Sequence, residues 1–98
     1  MLRILHLDDD PMMHLKTETA LTENRFGLDI SYAPVATVEE FYEQMPVVKP
    51  DLVLLDIRIS GPDGGIEVLS KIKESGYEGR YISGIDFLQT DIPNFRGF

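Results

Sequence analysis

The chain has 98 residues, enough for one small domain, and it contains no cysteine, which excludes disulfides, zinc–thiolate sites and a thiol nucleophile. Its 17 acidic and 9 basic residues give a formal net charge of -8, which argues against nucleic acid or an anionic membrane as a partner, because both bind basic side chains. No apolar run approaches the length of a membrane span and no signal peptide precedes the first strand pattern, so we expect a cytoplasmic protein.

The first strand is predicted at residues 2–7, an apolar stretch that leads into three consecutive aspartates, residues 8–10. Asp10 is a good helix N-cap and Pro11 a good first helical residue, so a helix should follow and run to about Asn24. Its inward face is expected to consist of residues that recur at helical spacing, namely Met13, Thr17, Ala20 and Leu21.

A second strand is predicted at residues 28–33, where apolar and polar side chains alternate, and it should be more exposed than its neighbours. Thr37 then starts a second helix, because Glu40 three residues later completes a capping box. Pro46 is predicted to end that helix. Its inward face should be formed by Val38, Phe41, Tyr42 and Met45.

The third strand, residues 52–55, is apolar throughout, which is typical of a strand buried on both faces of a parallel sheet. A loop rich in turn-forming residues follows, and a third helix is predicted at about residues 66–75, with Gly76 as its C-terminal stop. Residues 81–83 form a short fourth strand. The third helix should direct Ile66, Leu69 and Ile72 inward.

Helices that alternate with strands indicate right-handed crossovers and a parallel sheet. The predicted fold class is therefore α/β, a three-layer, doubly wound parallel sheet built by a single domain, residues 1–98. The pattern weakens after Ser83, so we expect the last strand–helix unit to be shortened or missing. Residues 85–98 are predicted to be an atypical tail whose aromatic side chains pack on its own sheet or on a partner.

Asp56 ends the third strand and Asp8 and Asp9 end the first, at the sheet edge where parallel strands place ligands. If the two strands are neighbours, the carboxylates converge and raise one another's pKa, which a divalent cation would offset. Ligand sets made only of oxygen favour Mg²⁺, with Mn²⁺ as the alternative, in a phosphate site where one Asp can act as nucleophile. The competing interpretation is local, because Asp commonly caps helices and starts turns, and it is preferred for Asp10 and Asp51.

Structural roles are predicted for both histidines, because neither has a partner histidine at the spacing of metal ligands. His6 is interpreted as a strand residue at a partly polar position, and His14 as a surface residue of the first helix.

Three stretches resemble, in order and spacing, the receiver domain of two-component response regulators, the CheY-like family. They are residues 4–11, which contain the three aspartates, residues 50–56, which end in an aspartate, and the pair Asp63-Gly64. The resemblance covers about residues 1–84 and implies a flavodoxin/CheY-like fold. It also implies a phosphoprotein that takes part in phosphorelay signal transduction.

The resemblance assigns a role to each residue of the acidic site. Asp56 would receive a phosphoryl group from a phosphohistidine on a sensor histidine kinase or a phosphotransfer protein. Asp9 would bind Mg²⁺ directly and Asp8 largely through water. The backbone carbonyl of Arg58 would complete the protein's share of the metal shell, to which Asp56 also belongs.

The resemblance also implies a switch next to the acidic site. Ser83 matches the hydroxyl residue that bonds the phosphoryl oxygen and draws the following loop inward, and Gly84 matches the small residue beside it. Receiver domains continue to a fifth strand whose Lys pairs with the phosphoryl group, whereas no Lys follows Ser83 in this chain. Arg58 and Arg96 are the candidates to supply that charge, and Arg58 and Gly84 are candidate phosphate contacts.

The predicted function is a phosphorylation-controlled switch whose output is an effector domain, a partner protein or a homodimer formed at the exposed edge of strand four. The protein is not predicted to be an enzyme, apart from gaining and losing the phosphoryl group on Asp56. The first alternative is a degenerate receiver that serves as a phosphorylation-independent interaction or dimerisation module. A Mg²⁺-dependent phosphohydrolase is less favoured, because such enzymes usually carry a second acid where this chain has Arg58.

Overall fold

A computed structural model describes residues 1–24, 29–59, 61, 64–84 and 87. Among these residues, no helix is both long and apolar enough to cross a membrane. The predictions for Asp63, for Arg96 and for most of the tail lie outside the described residues. The elements, in chain order, are β1 (Leu2–Leu7), α1 (Pro11–Asn24), β2 (Ile30–Val35), α2 (Val38–Val48), β3 (Leu52–Leu55), α3 (Gly64–Glu74) and β4 (Arg80–Ser83).

The described strands form one parallel sheet in the order β2-β1-β3-β4. β1 pairs with both β2 and β3, so that Leu7 aligns with Leu55, and Leu55 aligns in turn with Ser83. The carboxyl ends of three adjacent strands therefore meet at one edge of the sheet. The predicted α/β fold with a doubly wound parallel sheet is confirmed.

Helices cover both faces of the sheet, which produces the three predicted layers. All four residues of β3 are buried, as expected for a strand that is covered on both sides. α1 packs on one face, with Leu21 beside Ile4, Leu52, Leu54 and Phe87. α2 and α3 pack on the opposite face, where the buried side chains are Leu5, Leu7, Val35, Phe41, Val53, Leu55, Ile59, Val68 and Ile72.

The predicted helix starts are confirmed by their hydrogen bonds. Pro11 is the first residue of α1, and the Asp10 carboxylate accepts a hydrogen bond from the Met12 backbone N–H at 2.9 Å. At the start of α2, the Thr37 hydroxyl accepts a hydrogen bond from the Glu40 backbone N–H at 3.1 Å. Both contacts satisfy backbone donors that have no partner within the helix itself.

The prediction that Pro46 ends α2 is wrong, because the helix continues to Val48. Proline removes one backbone hydrogen bond, and this loss falls in the last turn of the helix. Lys49 caps the C-terminus of α2: its φ of 50° is left-handed, and its N–H donates to the Met45 carbonyl at 3.0 Å. Packing of Phe41 and Val48 against the core holds this last turn in place.

Two further boundaries differ from the sequence prediction. β2 covers Ile30–Val35 rather than residues 28–33, because it aligns with β1 along the whole length of that strand. α3 begins at Gly64 rather than at Ile66, and its buried residues are Gly65, Val68 and Ile72, so the prediction that Ile66 points inward is wrong. Ile66 is 52% exposed, whereas Val68 is buried.

Candidate functional site

A cleft of about 760 Å³ opens at the carboxyl edge of the sheet, above the ends of β1, β3 and β4. Its position follows from the parallel topology, which brings the loops after these strands to one side. Apart from Arg96, which lies outside the described residues, the site residues predicted from the sequence lie along it. The lining consists of Asp8, Asp9, Asp10, Met13, Leu55, Asp56, Ile57, Arg58, Ser83 and Gly84.

Three carboxylates converge in this cleft. One oxygen each from Asp8, Asp9 and Asp56 lies within 4.8 Å of the other two. Asp8 is buried, Asp56 is half-buried and Asp9 is exposed, so the cluster reaches from the core to solvent. Its all-oxygen composition and close spacing fit a hard divalent cation such as Mg²⁺, which is commonly held by one or two carboxylates.

Backbone contacts hold Asp8 in position. Its N–H donates to the Val35 carbonyl at 3.1 Å, which extends the pairing of β1 with β2. Its Oδ1 accepts a hydrogen bond from the Asp10 N–H at 2.9 Å. Burial raises the pKa of Asp8, the Asp10 contact opposes that rise, and the charge of Asp56 adds to it.

Asp56 is fixed by the strand pairing and by the turn that follows it. Its N–H donates to the Leu7 carbonyl at 2.9 Å, which continues the pairing of β3 with β1. Its Oδ1 accepts a hydrogen bond from the Arg58 N–H at 3.0 Å, and its carbonyl accepts one from Ile59 at 3.2 Å. The carboxylate is therefore oriented at one oxygen while the side chain remains half-exposed to the cleft.

Arg58, Ser83 and Gly84 also line the cleft, as the sequence predicted. The Arg58 side chain is exposed, and its carbonyl accepts a hydrogen bond from the Gly61 N–H at 3.2 Å. A carbonyl oxygen has two lone pairs, so one remains for a cation. Ser83 stands at the end of β4, aligned with the last residue of β3.

Gly65 is a site-shaping residue that the sequence interpretation missed. Its N–H donates to the Ile57 carbonyl at 2.9 Å, which anchors the first turn of α3 to the loop after β3. A β-carbon at this position would overlap the carbonyl oxygen of Asp56 and the backbone of Ile57. The Gly64-Gly65 pair was a visible signal, because glycine often marks a close approach between two backbone segments.

A polar contact between buried His6 and half-buried Tyr32 lies beneath Asp8, and the sequence interpretation also missed it. The His6 side chain is fully buried, and its Nδ1 lies 2.6 Å from the Tyr32 hydroxyl. Burial lowers the pKa of His6 to about 4, and the neighbouring His14 adds to that effect. His14 is half-buried rather than a surface residue, and its ring meets His6 edge-on at 5.0 Å between centroids.

Comparison with known proteins finds relatives among signalling proteins. No family model matches the chain. The sensory transduction protein LytT of Bacillus subtilis is 31% identical over 74 residues, which cover 76% of this chain and 30% of LytT. The chain thus spans less than a third of the length of that curated relative.

Two solved structures are similar. The MaeR response regulator bound to beryllium trifluoride superposes with a TM-score of 0.73 and 26% identity, covering 85% of this chain and 66% of MaeR. The bacteriophytochrome response regulator AtBRR superposes with a TM-score of 0.65 and 23% identity, covering 85% of this chain and 65% of AtBRR.

Proposed function

The chain is a CheY-like receiver domain, and we propose that it acts as a phosphorylation-controlled switch in two-component signalling. Asp56 accepts a phosphoryl group from a phosphohistidine on a sensor histidine kinase or a phosphotransfer protein, in the cytoplasm and with Mg²⁺. The observation that supports this most directly is the convergence of Asp8, Asp9 and Asp56 within 4.8 Å. The similar proteins are a sensory transduction protein and a response regulator, which are signalling proteins.

The transfer reaction uses Asp56 as its nucleophile. A carboxylate oxygen of Asp56 forms a bond to phosphorus while the phosphorus–nitrogen bond of the phosphohistidine breaks. The bonding electrons leave with the imidazole of the donor, which then takes a proton from solvent. The half-exposed position of Asp56 makes it accessible to a partner's side chain, and the Arg58 N–H orients the carboxylate.

The acidic residues have a separate task in this proposal, which is to hold the cation. Asp8, Asp9, Asp56 and the Arg58 carbonyl would bind Mg²⁺, and Mn²⁺ would suit the same oxygen ligands. When bound, the cation offsets the negative charge of the carboxylates and of the phosphoryl group. Asp8 contributes a carboxylate whose orientation is set in advance by the Asp10 N–H.

Ser83 and Gly84 connect the phosphorylated residue with an output. Both line the same cleft as Asp56, so the Ser83 hydroxyl is positioned to report on a phosphoryl group there. Phosphorylation adds negative charge and three acceptor oxygens, which a nearby hydroxyl can contact. The resulting shift at the end of β4 would act on an effector domain, a partner protein or a second copy of the chain.

Incubation with Mg²⁺ and acetyl phosphate, followed by intact mass measurement, tests the proposal. We expect an adduct of one phosphoryl group that is absent in Asp56→Asn and in samples treated with a chelator. Beryllium trifluoride, to which MaeR is bound, is a second probe and should also require Asp56. No adduct on the wild type would favour the interaction module, and rapid multiple-turnover release of phosphate would favour a phosphohydrolase.

A further inference from the structure

The buried His6 side chain touches two parts of the acidic cleft from below. Its Nε2 lies 3.8 Å from Oδ2 of Asp8, at the end of β1. On the β4 side, a β-carbon at Gly84 would come within 3.1 Å of the same nitrogen, so glycine leaves the room that the imidazole occupies. Among the described residues, no atom lies within hydrogen-bonding distance of Nε2.

The contact between His6 and Tyr32 occupies Nδ1 of the ring and leaves Nε2 to face Asp8. The single hydroxyl proton of Tyr32 can be donated to His6 Nδ1 at 2.6 Å or to the His14 carbonyl at 3.4 Å. Either tautomer can make the 2.6 Å contact, so the charge that faces Nε2 decides between them. With Nδ1 as the acceptor, the neutral ring carries its proton on Nε2.

This tautomer directs an N–H toward the Asp8 carboxylate, whereas the other tautomer would direct a lone pair toward a negative charge. The N–H arrangement is therefore favoured electrostatically. At 3.8 Å, beyond hydrogen-bonding distance, the interaction is an attraction between a dipole and a charge. Oδ1 is already held by the Asp10 N–H, so both oxygens of Asp8 experience an orienting donor.

We propose that His6, itself oriented by Tyr32, is a positioning residue that holds the Asp8 carboxylate in the orientation needed to bind the cation. The inference rests on the proposed function, because it assigns His6 a role behind a cation ligand of that site. Residues that orient metal ligands from behind commonly change metal affinity when they are substituted, although they never touch the ion.

Mn²⁺ binding to the full chain tests the inference, with the paramagnetic resonance signal of the free ion as the readout. His6→Leu removes the ring, and Tyr32→Phe removes only the hydroxyl. Each should raise the Mn²⁺ dissociation constant about five- to tenfold, near the lower end of such effects. His6→Gln retains an amide donor and should recover part of the lost affinity.

Tyr77→Phe is the matched control for loss of a hydroxyl. The Tyr77 hydroxyl donates to the carbonyls of Pro50 and Arg80, which lie before β3 and at the start of β4, at the opposite edge of the sheet. This variant should keep the Mn²⁺ affinity of the wild type within about twofold, because a remote substitution does not couple to the site.

A second readout is independent of metal. Long-range proton–nitrogen correlation of the His6 imidazole should show the proton on Nε2 in the wild type, and a proton on Nδ1 overturns the inference. So does unchanged Mn²⁺ affinity in both His6→Leu and Tyr32→Phe, or a loss in His6→Leu alone without recovery in His6→Gln. In these cases the proposed function still stands, whereas a wild type that binds no Mn²⁺ overturns both.

Discussion

Gly65 packs directly against Asp56, so closely that a β-carbon on Gly65 would overlap the carbonyl oxygen of Asp56. The first turn of α3 therefore supports the loop that carries the proposed phosphoacceptor. Only glycine permits this close approach of the two backbone segments, so the residue type at position 65 affects the geometry of the site.

Gly65→Ala should destabilise the protein and disturb the cleft together. Alanine gains about 1 kcal/mol of helix propensity over glycine, but the overlap with the Asp56 backbone costs about 1–3 kcal/mol. We expect a net loss of about 1 kcal/mol in the free energy of unfolding by urea, with weaker Mn²⁺ binding. Ser70→Ala, at an exposed position of the same helix, is the control: it should raise the free energy of unfolding by about 0.5 kcal/mol at most through helix propensity and leave Mn²⁺ binding unchanged. Equal Mn²⁺ affinity in Gly65→Ala and the wild type would contradict this role for the contact.

Asp8→Asn should stabilise the protein in the absence of divalent cations. The pKa of Asp8 is raised by burial and by Asp56, so the folded state disfavours the charged carboxylate relative to the unfolded state. Removing the charge should increase the free energy of unfolding by about 1 kcal/mol, an ordinary size for one substitution. Asp9→Asn is the matched control, and its effect should be smaller because Asp9 is exposed.

Saturating Mg²⁺ should make the wild type more stable than Asp8→Asn, the reverse of the order expected without divalent cations. A ligand at one hundred times its dissociation constant adds about 2.7 kcal/mol to a protein that binds it only when folded. The wild type should gain most of this free energy of unfolding. Asp8→Asn should gain much less, because its neutral amide replaces a negatively charged carboxylate ligand. Urea titrations of both proteins, with Mg²⁺ and with a chelator, measure the free energies of unfolding that are compared. An equal gain in the two proteins would exclude Asp8 from the cation site.

Tyr77→Phe should destabilise the protein without affecting the cleft. The hydroxyl donates to the Pro50 carbonyl at 3.1 Å and to the Arg80 carbonyl at 3.2 Å, which links the starts of β3 and β4. Its removal deprives the buried Pro50 and the exposed Arg80 of the donor that their carbonyls share, and should cost about 1 kcal/mol. Thermal or urea unfolding measures the loss, and no loss would show that solvent replaces the hydroxyl.

The stability difference between the wild type and Tyr77→Phe should depend on pH. Burial raises the pKa of Tyr77 from 10.0 to about 12, so the unfolded state releases the phenolic proton first as the pH rises. Between these two values the folded state binds more protons, and stability must therefore fall with increasing pH. Tyr77→Phe lacks this contribution, so its deficit relative to the wild type should narrow above pH 10. A deficit that stays constant up to pH 11.5 would contradict the assignment.

Arg58→Glu tests whether Arg58 supplies positive charge at the proposed phosphoryl site. The exposed Arg58 side chain lines the cleft beside Asp56, and a charge reversal there should slow phosphorylation by acetyl phosphate about three- to fivefold, as expected for an exposed charge pair. Lys49→Glu changes the net charge equally but lies before β3, at the other edge of the sheet, and should have little effect. Equal rates in the two variants would remove Arg58 as the candidate.

Much of the fold could be predicted because its signals are local. Asp10 and Thr37 accept hydrogen bonds from the first turns of α1 and α2, as their residue types predict. The uninterrupted apolar run of β3 indicated burial on both faces. Where the prediction failed, tertiary packing overrode a local signal, as at Pro46, which lies inside a helix held by contacts of its neighbours with the core.

The amino-acid sequence by itself determined the order of strands and helices and placed carboxylates at the ends of two apolar strands. Only the tertiary structure decided that β1 and β3 are neighbours, so that Asp8 and Asp56 meet. It also decided that Gly65 supports Asp56 and that His6 lies behind Asp8. The physical reason is range: hydrogen-bonding caps and side-chain periodicity act within a few residues, whereas these contacts depend on which distant segments pair and pack.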